Sequence, residues 1–160
     1  MTTKTTTKTR TTKTKMTYKA PETKLVFKNI AIPIIEFTLS NGVCGRGLVD
    51  TGSEGTLVDA GFLKANKAAF AIKPTSQKMN FVGFYGSEDR HLIKVSAFLK
   101  FDGNEVLMKD AIVAPLDNVN KGLIEMYGEE MAVNIVFGSD FFAENKAEIN
   151  YQTNKLVFHD

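Results

Sequence analysis

From Leu25 onward the apolar residues come in short runs divided by turn residues, and this pattern limits the chain to a mostly β fold. Leu25 to Phe27 is a short apolar strand, and Ile32 to Leu39 is a longer one rich in β-branched and aromatic residues. Asn41-Gly42 marks a hairpin turn. Gly45 to Val49 and Gly55 to Val58 follow as further strands. Met79 to Val82 and Leu92 to Phe101 flank a glycine-containing connection, Gly83 to Arg90. Asp102-Gly103 is a second tight turn, leading into Val106 to Val113. Asn134 to Phe137 reads as a buried strand, and Ala147 to Asn150 and Lys155 to Phe158 as a closing hairpin around Tyr151-Gln152-Thr153-Asn154. Helical signals are few and short. Asp59 is placed to cap a helix through Ala65, residues 117–130 have roughly helical spacing, and Asp140 to Asn145 forms a third candidate. With 160 residues there is room for one domain with a real core, built of many short strands and two or three short helices.

The first residues obey different rules. Residues 1–15 are almost entirely Thr, Lys and Arg, without apolar periodicity, and bury too little to offset their ordering entropy. Residues 1–22 are expected to be a disordered basic arm ending near Pro21, ahead of a folded domain over 23–160. Up to Lys24 the chain carries six lysines and Arg10 against Glu22 alone, a net +6, so the overall +2 leaves a body of net −4. An acidic body argues against nucleic acid as a partner beyond weak attraction through the arm, which has no aromatic residue before Tyr18 on which bases could stack. No apolar run approaches the ~20 residues that span a bilayer, and there is no apolar stretch of signal-peptide type, so a cytoplasmic location and no membrane partner are expected. Cys44 is the single cysteine, which excludes an internal disulfide and reads as a small residue beside a hairpin. His91 and His159 are too few and too scattered for a metal site, and no Walker or dinucleotide loop occurs, so no metal and no cofactor are expected.

The chemistry is concentrated in Gly47-Leu48-Val49-Asp50-Thr51-Gly52-Ser53. An apolar strand delivers an acid into a tight Thr-Gly turn. Leu48 and Val49 bury the approach, Thr51 offers a hydroxyl to lock the turn, and Gly52 leaves room for another backbone to come close. A second element follows much later: the apolar strand Ile135-Val136-Phe137 runs into Gly138-Ser139-Asp140-Phe141-Phe142. Between the two lies the loop Phe81-Val82-Gly83-Phe84-Tyr85-Gly86.

In this ordered set, over about residues 25–158, the chain resembles the retropepsin-like aspartic peptidases, the retroviral proteases and their bacterial and phage relatives. The resemblance implies a single-domain closed β-barrel of the acid-protease fold. It implies that Asp50 is the catalytic acid and base, and that Thr51, Gly52 and Ser53 complete the active-site loop. Gly83, Phe84, Tyr85 and Gly86 would form or border a flap over an extended polypeptide substrate, and Gly138 would let the C-terminal helix pack on the active-site loop. Two departures stand out. Where retroviral enzymes often pair an acid with an arginine after the second glycine, this chain has Glu54 and Ser139, so that ion pair is lost. The stretch Asp117 to Met131 looks like an insertion relative to the shortest viral enzymes.

Peptide hydrolysis by carboxylates uses two acids sharing one proton; at about 3 Å separation both cannot ionise cheaply, and the pair titrates as a unit. This chain has one Asp-Thr-Gly, and the resemblance places Asp140 at a helix start rather than in the site. A homodimer would supply the second Asp50. The expected function is therefore an aspartic endopeptidase active as a homodimer. The competing readings are an inactive retropepsin-fold module that binds peptides or acts as a scaffold, and a nucleic-acid-associated protein driven by the arm.

Overall fold

Alternation builds the first strands. The computed structural model describes residues 17–19, 25–27, 30–31, 33–83, 86–102, 104–153 and 155–159. In β4 (Ile34–Leu39) the side chains of Ile35, Phe37 and Leu39 are buried while Glu36 is exposed. In β5 (Cys44–Val49) the buried positions are Gly45, Gly47 and Val49. The two strands are joined by the expected turn, in which Gly42 takes φ 84° and its N–H donates to Leu39 O at 2.9 Å. The glycines of β5 have a packing reason. The rings of Phe37 and Phe137 occupy the places where side chains at Gly45 and Gly47 would lie.

Ahead of β4 stand β1 (Thr17–Lys19), β2 (Leu25–Phe27) and β3 (Ile30–Ala31). After β5 come β6 (Leu57–Asp59) and α1 (Ala60–Ala65), which starts as expected on Asp59, whose carboxylate accepts the Phe62 N–H at 3.0 Å. Then follow β7 (Ala71–Gly83), β8 (Gly86–Phe101), β9 (Asn104–Ala114), α2 (Asp117–Tyr127), β10 (Ile135–Phe137), α3 (Ser139–Glu144), β11 (Ala147–Asn150) and β12 (Lys155–Phe158). The main sheet has the order β4-β5-β10-β6-β9-β8-β7, and the further pairing of β4 with β8 closes six of these strands into a barrel. A small antiparallel sheet, β1-β12-β11, joins the closing hairpin to Thr17–Lys19. Residues 1–16 of the expected arm lie outside the described residues.

The barrel is filled largely by phenylalanine. Phe37, Phe101, Phe137, Phe141 and Phe158 are all buried, and the rings of Phe137 and Phe141 lie 4.6 Å apart between centroids. Phe70 and Phe142 are buried as well, so among the described residues phenylalanine is mainly a core residue. One expectation changes. Gly83 to Arg90 is not an open connection: Ser87–Arg90 pair with Met79–Val82, and Gly83 faces Gly86 at the end of a long hairpin. Strand β7 also begins earlier than the apolar pattern indicated, at Ala71. Pro74 and the register shift between Pro74 and Lys78 interrupt the regular alternation there. Among the described residues no helix is long and apolar enough to cross a membrane.

Candidate active site

Asp50 is positioned by a parallel strand pair. β5 and β10 run side by side in register, Gly47 to Val49 against Ile135 to Phe137, so both end at the same level. Asp50 and Gly138 therefore leave the barrel next to each other. The Asp50 N–H donates to Phe137 O at 3.0 Å, extending the pairing by one residue. The chain then turns sharply: Ser53 N–H donates to Asp50 O at 3.1 Å, and Gly52 N–H donates to the Asp50 carboxylate Oδ1 at 3.0 Å. Asp50 is half-buried, whereas Thr51 and Gly52 are exposed. The carboxylate is thus oriented by its own turn and still open to solvent. Ser53 Oγ turns back to donate to Gly55 O at 2.7 Å.

The turn rests on the start of α3. A methyl carbon at Gly138 would lie 2.6 Å from the Gly55 carbonyl oxygen and 2.8 Å from that of Ser53, so only glycine permits this approach. The Ser139 N–H donates to Ser53 O at 2.8 Å and the Asp140 N–H to Glu54 O at 3.2 Å. These are N–H groups of the first helical turn, which have no partner within the helix and here find one in the loop. Ser139 Oγ donates to Glu54 O at 3.4 Å, so this position, where the resemblance would place an arginine, supports the loop through both its hydroxyl and its N–H.

Beneath the loop is a buried polar joint. Thr56, 1% exposed, donates its hydroxyl to Asp140 Oδ1 at 2.6 Å and accepts the Gly138 N–H at 3.0 Å. Its own N–H donates to Asp140 Oδ2 at 3.1 Å, and Phe141 N–H donates to Asp140 Oδ1 at 2.7 Å. Asp140 accordingly stands in the first turn of α3, with both carboxylate oxygens engaged. Sequence reasoning placed Asp140 at a helix start but missed the joint and missed Thr56. The signal available was a threonine at the head of an apolar strand, a position where a hydroxyl must find a buried partner.

On the outer face of the sheet the strand registers align an apolar row. Ile34 lies opposite Leu48, Leu48 opposite Val136, Val136 opposite Leu57, and Leu57 opposite Ile112, across β4, β5, β10, β6 and β9. Leu48 is two residues before Asp50. Ile34, Leu48 and Leu57 are half-buried and pack on a second apolar cluster of Leu116, Val133 and Val136, joined by Leu123 of α2. That helix is tied down at its base: Asn120 accepts the Val133 N–H at 2.8 Å and donates to Val133 O at 3.0 Å, and Leu116 N–H donates to Asp59 Oδ1 at 3.0 Å.

Of the expected flap residues, Gly83 and Gly86 face each other at the end of the β7–β8 hairpin, while Phe84 and Tyr85 lie outside the described residues. His91 is exposed on β8 opposite Lys78, and His159 Nε2 lies 3.0 Å from Glu148 Oε2 in the closing hairpin. Cys44 is exposed at the start of β5.

No family model and no curated protein sequence matches this chain. Among solved structures it is similar to the retroviral protease-like domain of Ddi1 from Leishmania major, with a TM-score of 0.51 and 12% identity over 84% of this chain and 95% of that one. The likeness is one of fold: a mostly β, retropepsin-like closed barrel with three short helices.

Proposed function

We propose that this chain is one half of an aspartic endopeptidase, and that Asp50 of the partner subunit completes the site. The observation that carries this reading is the Asp50 turn. Its carboxylate is oriented by the Gly52 N–H and left open to solvent, while its backbone is locked onto α3. Asp140 supports the two-chain requirement from the other side, since its oxygens are spent on Thr56 and Phe141 and cannot serve as the second acid.

In the proposed reaction the two carboxylates share one proton. The ionised member takes a proton from water as the water oxygen bonds to the scissile carbonyl carbon. The protonated member donates to the carbonyl oxygen. The tetrahedral adduct then collapses, the C–N bond breaks, and the leaving nitrogen is protonated from the pair. The substrate lies extended along the loop as an added strand, covered by the β7–β8 hairpin, with closure excluding water. Thr51 and Ser53 hold the loop, and Gly52 leaves room for the substrate backbone.

The test is cleavage of a mixed peptide library at several acidic to neutral pH values by wild type and by Asp50→Asn. The variant retains an oxygen that can accept the Gly52 N–H, so the turn survives while the acid is lost. Cleavage by wild type alone is the expected result. Absence of cleavage by folded, dimeric wild type would leave a peptide-binding module as the better reading.

A further inference from the structure

Most phenylalanines among the described residues are buried, but Phe98 of β8 is 52% exposed. Its neighbours Ala97 and Leu99 are buried in the barrel, so alternation turns Phe98 to the outer face of the sheet. Directly opposite it on β9 stands Leu107, 40% exposed between buried Val106 and Met108. The two apolar side chains therefore lie side by side on the outside of the barrel. Alternation also sets the charges around them. Lys94 and Lys100 share the outer face of β8 with Phe98, and Lys109 follows Leu107 by two residues on β9. Lys73 of β7 lies directly opposite Lys94, a placing of like charges that costs stability in a sheet. The acids on this face are Glu105, opposite Lys100, and half-buried Asp110. None of the four lysines is ion-paired among the described residues. A locally basic face stands out on a body that is net acidic. It is also remote from Asp50. Lys100 lies opposite Thr38, and Thr38 opposite Cys44, which is six residues ahead of Asp50 on β5, or roughly 20 Å along an extended strand.

We propose that this face is a polypeptide-docking surface separate from the Asp50 site, and that its occupant is an acidic segment carrying a large apolar side chain. The apolar side chain packs on Phe98 and Leu107, and acids beside it meet Lys94 and Lys109, which also relieves the repulsion between Lys94 and Lys73. Charge complementarity selects the acidic partner. Glu105 and Asp110 oppose a phosphate backbone, and Leu107 offers no ring for a base, which favours polypeptide over nucleic acid. The contact is small, so binding is weak and reversible. The surface stands whether or not the chain cleaves peptides.

The test uses the full-length chain carrying Asp50→Asn, so that no cleavage intervenes, and fluorescence anisotropy at low ionic strength. The probes are labelled synthetic peptides of alternating Glu and Thr with Phe or Ala at the centre, the Phe peptide with Lys in place of Glu, and an oligothymidine. The acidic Phe peptide is expected to bind roughly tenfold more tightly than its Ala counterpart, the scale of one apolar anchor. Phe98→Thr, which keeps a strand-forming residue, is expected to erase that ratio, and Leu107→Thr on the facing strand to reduce it. Lys94→Glu is expected to shift preference from the Glu peptide toward the Lys peptide. The Phe-to-Ala ratio separates this surface from the basic arm, whose attraction is the same for both acidic peptides. A Phe preference absent before the surface is altered, or surviving both threonine substitutions in protein with an unchanged circular dichroism spectrum, overturns the inference; survival assigns the peptide to another site, the Asp50 turn included. A charge preference unmoved by Lys94→Glu overturns it as well, and tighter, Phe98-dependent binding of oligothymidine overturns it in favour of nucleic acid.

Discussion

Replacing Gly138 by alanine tests the joint on which the Asp50 turn rests. The added methyl would lie 2.6 Å from Gly55 O, 2.7 Å from Gly55 C and 2.8 Å from Ser53 O, all of them backbone atoms that no rotamer change can clear. Either α3 or the turn must move. Overpacking of this kind costs ~1–3 kcal/mol. The displacement also strains the Ser139 N–H bond to Ser53 O and the buried Gly138 N–H bond to Thr56 Oγ1. Leaving a buried donor unpaired adds ~1–3 kcal/mol. The expected loss is about 2–6 kcal/mol, out of a total of ~5–15 for a domain of ordinary stability. At ~2–4 °C per kcal/mol for a chain of this size, Tm falls by about 4–24 °C. Thermal unfolding followed by circular dichroism measures it, with Gly122→Ala as the internal control. Gly122 lies inside α2, where an added methyl meets nothing within 4 Å, so alanine there is expected to stabilise by ~0.5–1 kcal/mol. The two substitutions are chemically identical and opposite in sign. A Gly138→Ala protein melting within a degree of wild type would refute the close packing of α3 on the turn.

The same logic extends to other positions. Thr56→Val keeps the shape but leaves the Gly138 N–H and the Asp140 carboxylate short of a partner; a loss of ~2–4 kcal/mol in urea unfolding is expected, most of it recovered by Thr56→Ser. Gly47→Ala drives a methyl into the buried ring of Phe137 and is expected to destabilise by ~1–3 kcal/mol, measured the same way. Mixing wild type with an excess of Asp50→Asn and allowing subunits to exchange is expected to lower the cleavage rate below that of the same wild type alone, because mixed dimers hold one carboxylate. A rate unmoved by the variant would show that a single chain suffices.

How much was legible in advance depended on how local the cause was. The Asp59 cap, the Gly42 turn and the strand into Asp50 are set by neighbours in sequence, and their residue types announce them. The closed barrel follows from many such strands but also from pairings between distant ones, and only the order of motifs pointed to it. The first part of strand β7, Ala71 to Lys78, escaped notice because Pro74 interrupts it and because Lys73, Ser76 and Lys78 are polar and exposed. Apolar periodicity reports burial, and a stretch so largely exposed has little to report. The Thr56–Asp140 joint escaped for a different reason. Its partners are far apart in sequence and are brought together only once β10 lies between β5 and β6. A buried hydroxyl implies a partner but does not say which one.

The distribution of support across the molecule matches what the proposed shared site demands. Two carboxylates that must sit about 3 Å apart and share a proton tolerate little play, and any error in one loop is compounded by the error in its twin. In the proposed dimer, each chain must therefore fix its own loop. It does so at the Asp50 N–H, the Ser53 and Glu54 carbonyls and the Asp50 carboxylate, and the α3 start that grips those carbonyls is itself held by buried Thr56. The β7–β8 hairpin is built in the opposite way. Beyond Pro74 and Ile93 its strands pair only with each other among the described residues, and Asn80 and Asp89 bridge them at 2.9 Å in an exposed position. Local opening follows buried contacts, so amide exchange is expected to be slow at Asp50 and Ser139 and faster along Asn80 to Gly83. In the proposed enzyme, a substrate strand threaded between the two would meet a fixed acid on one side and a cover that yields on the other.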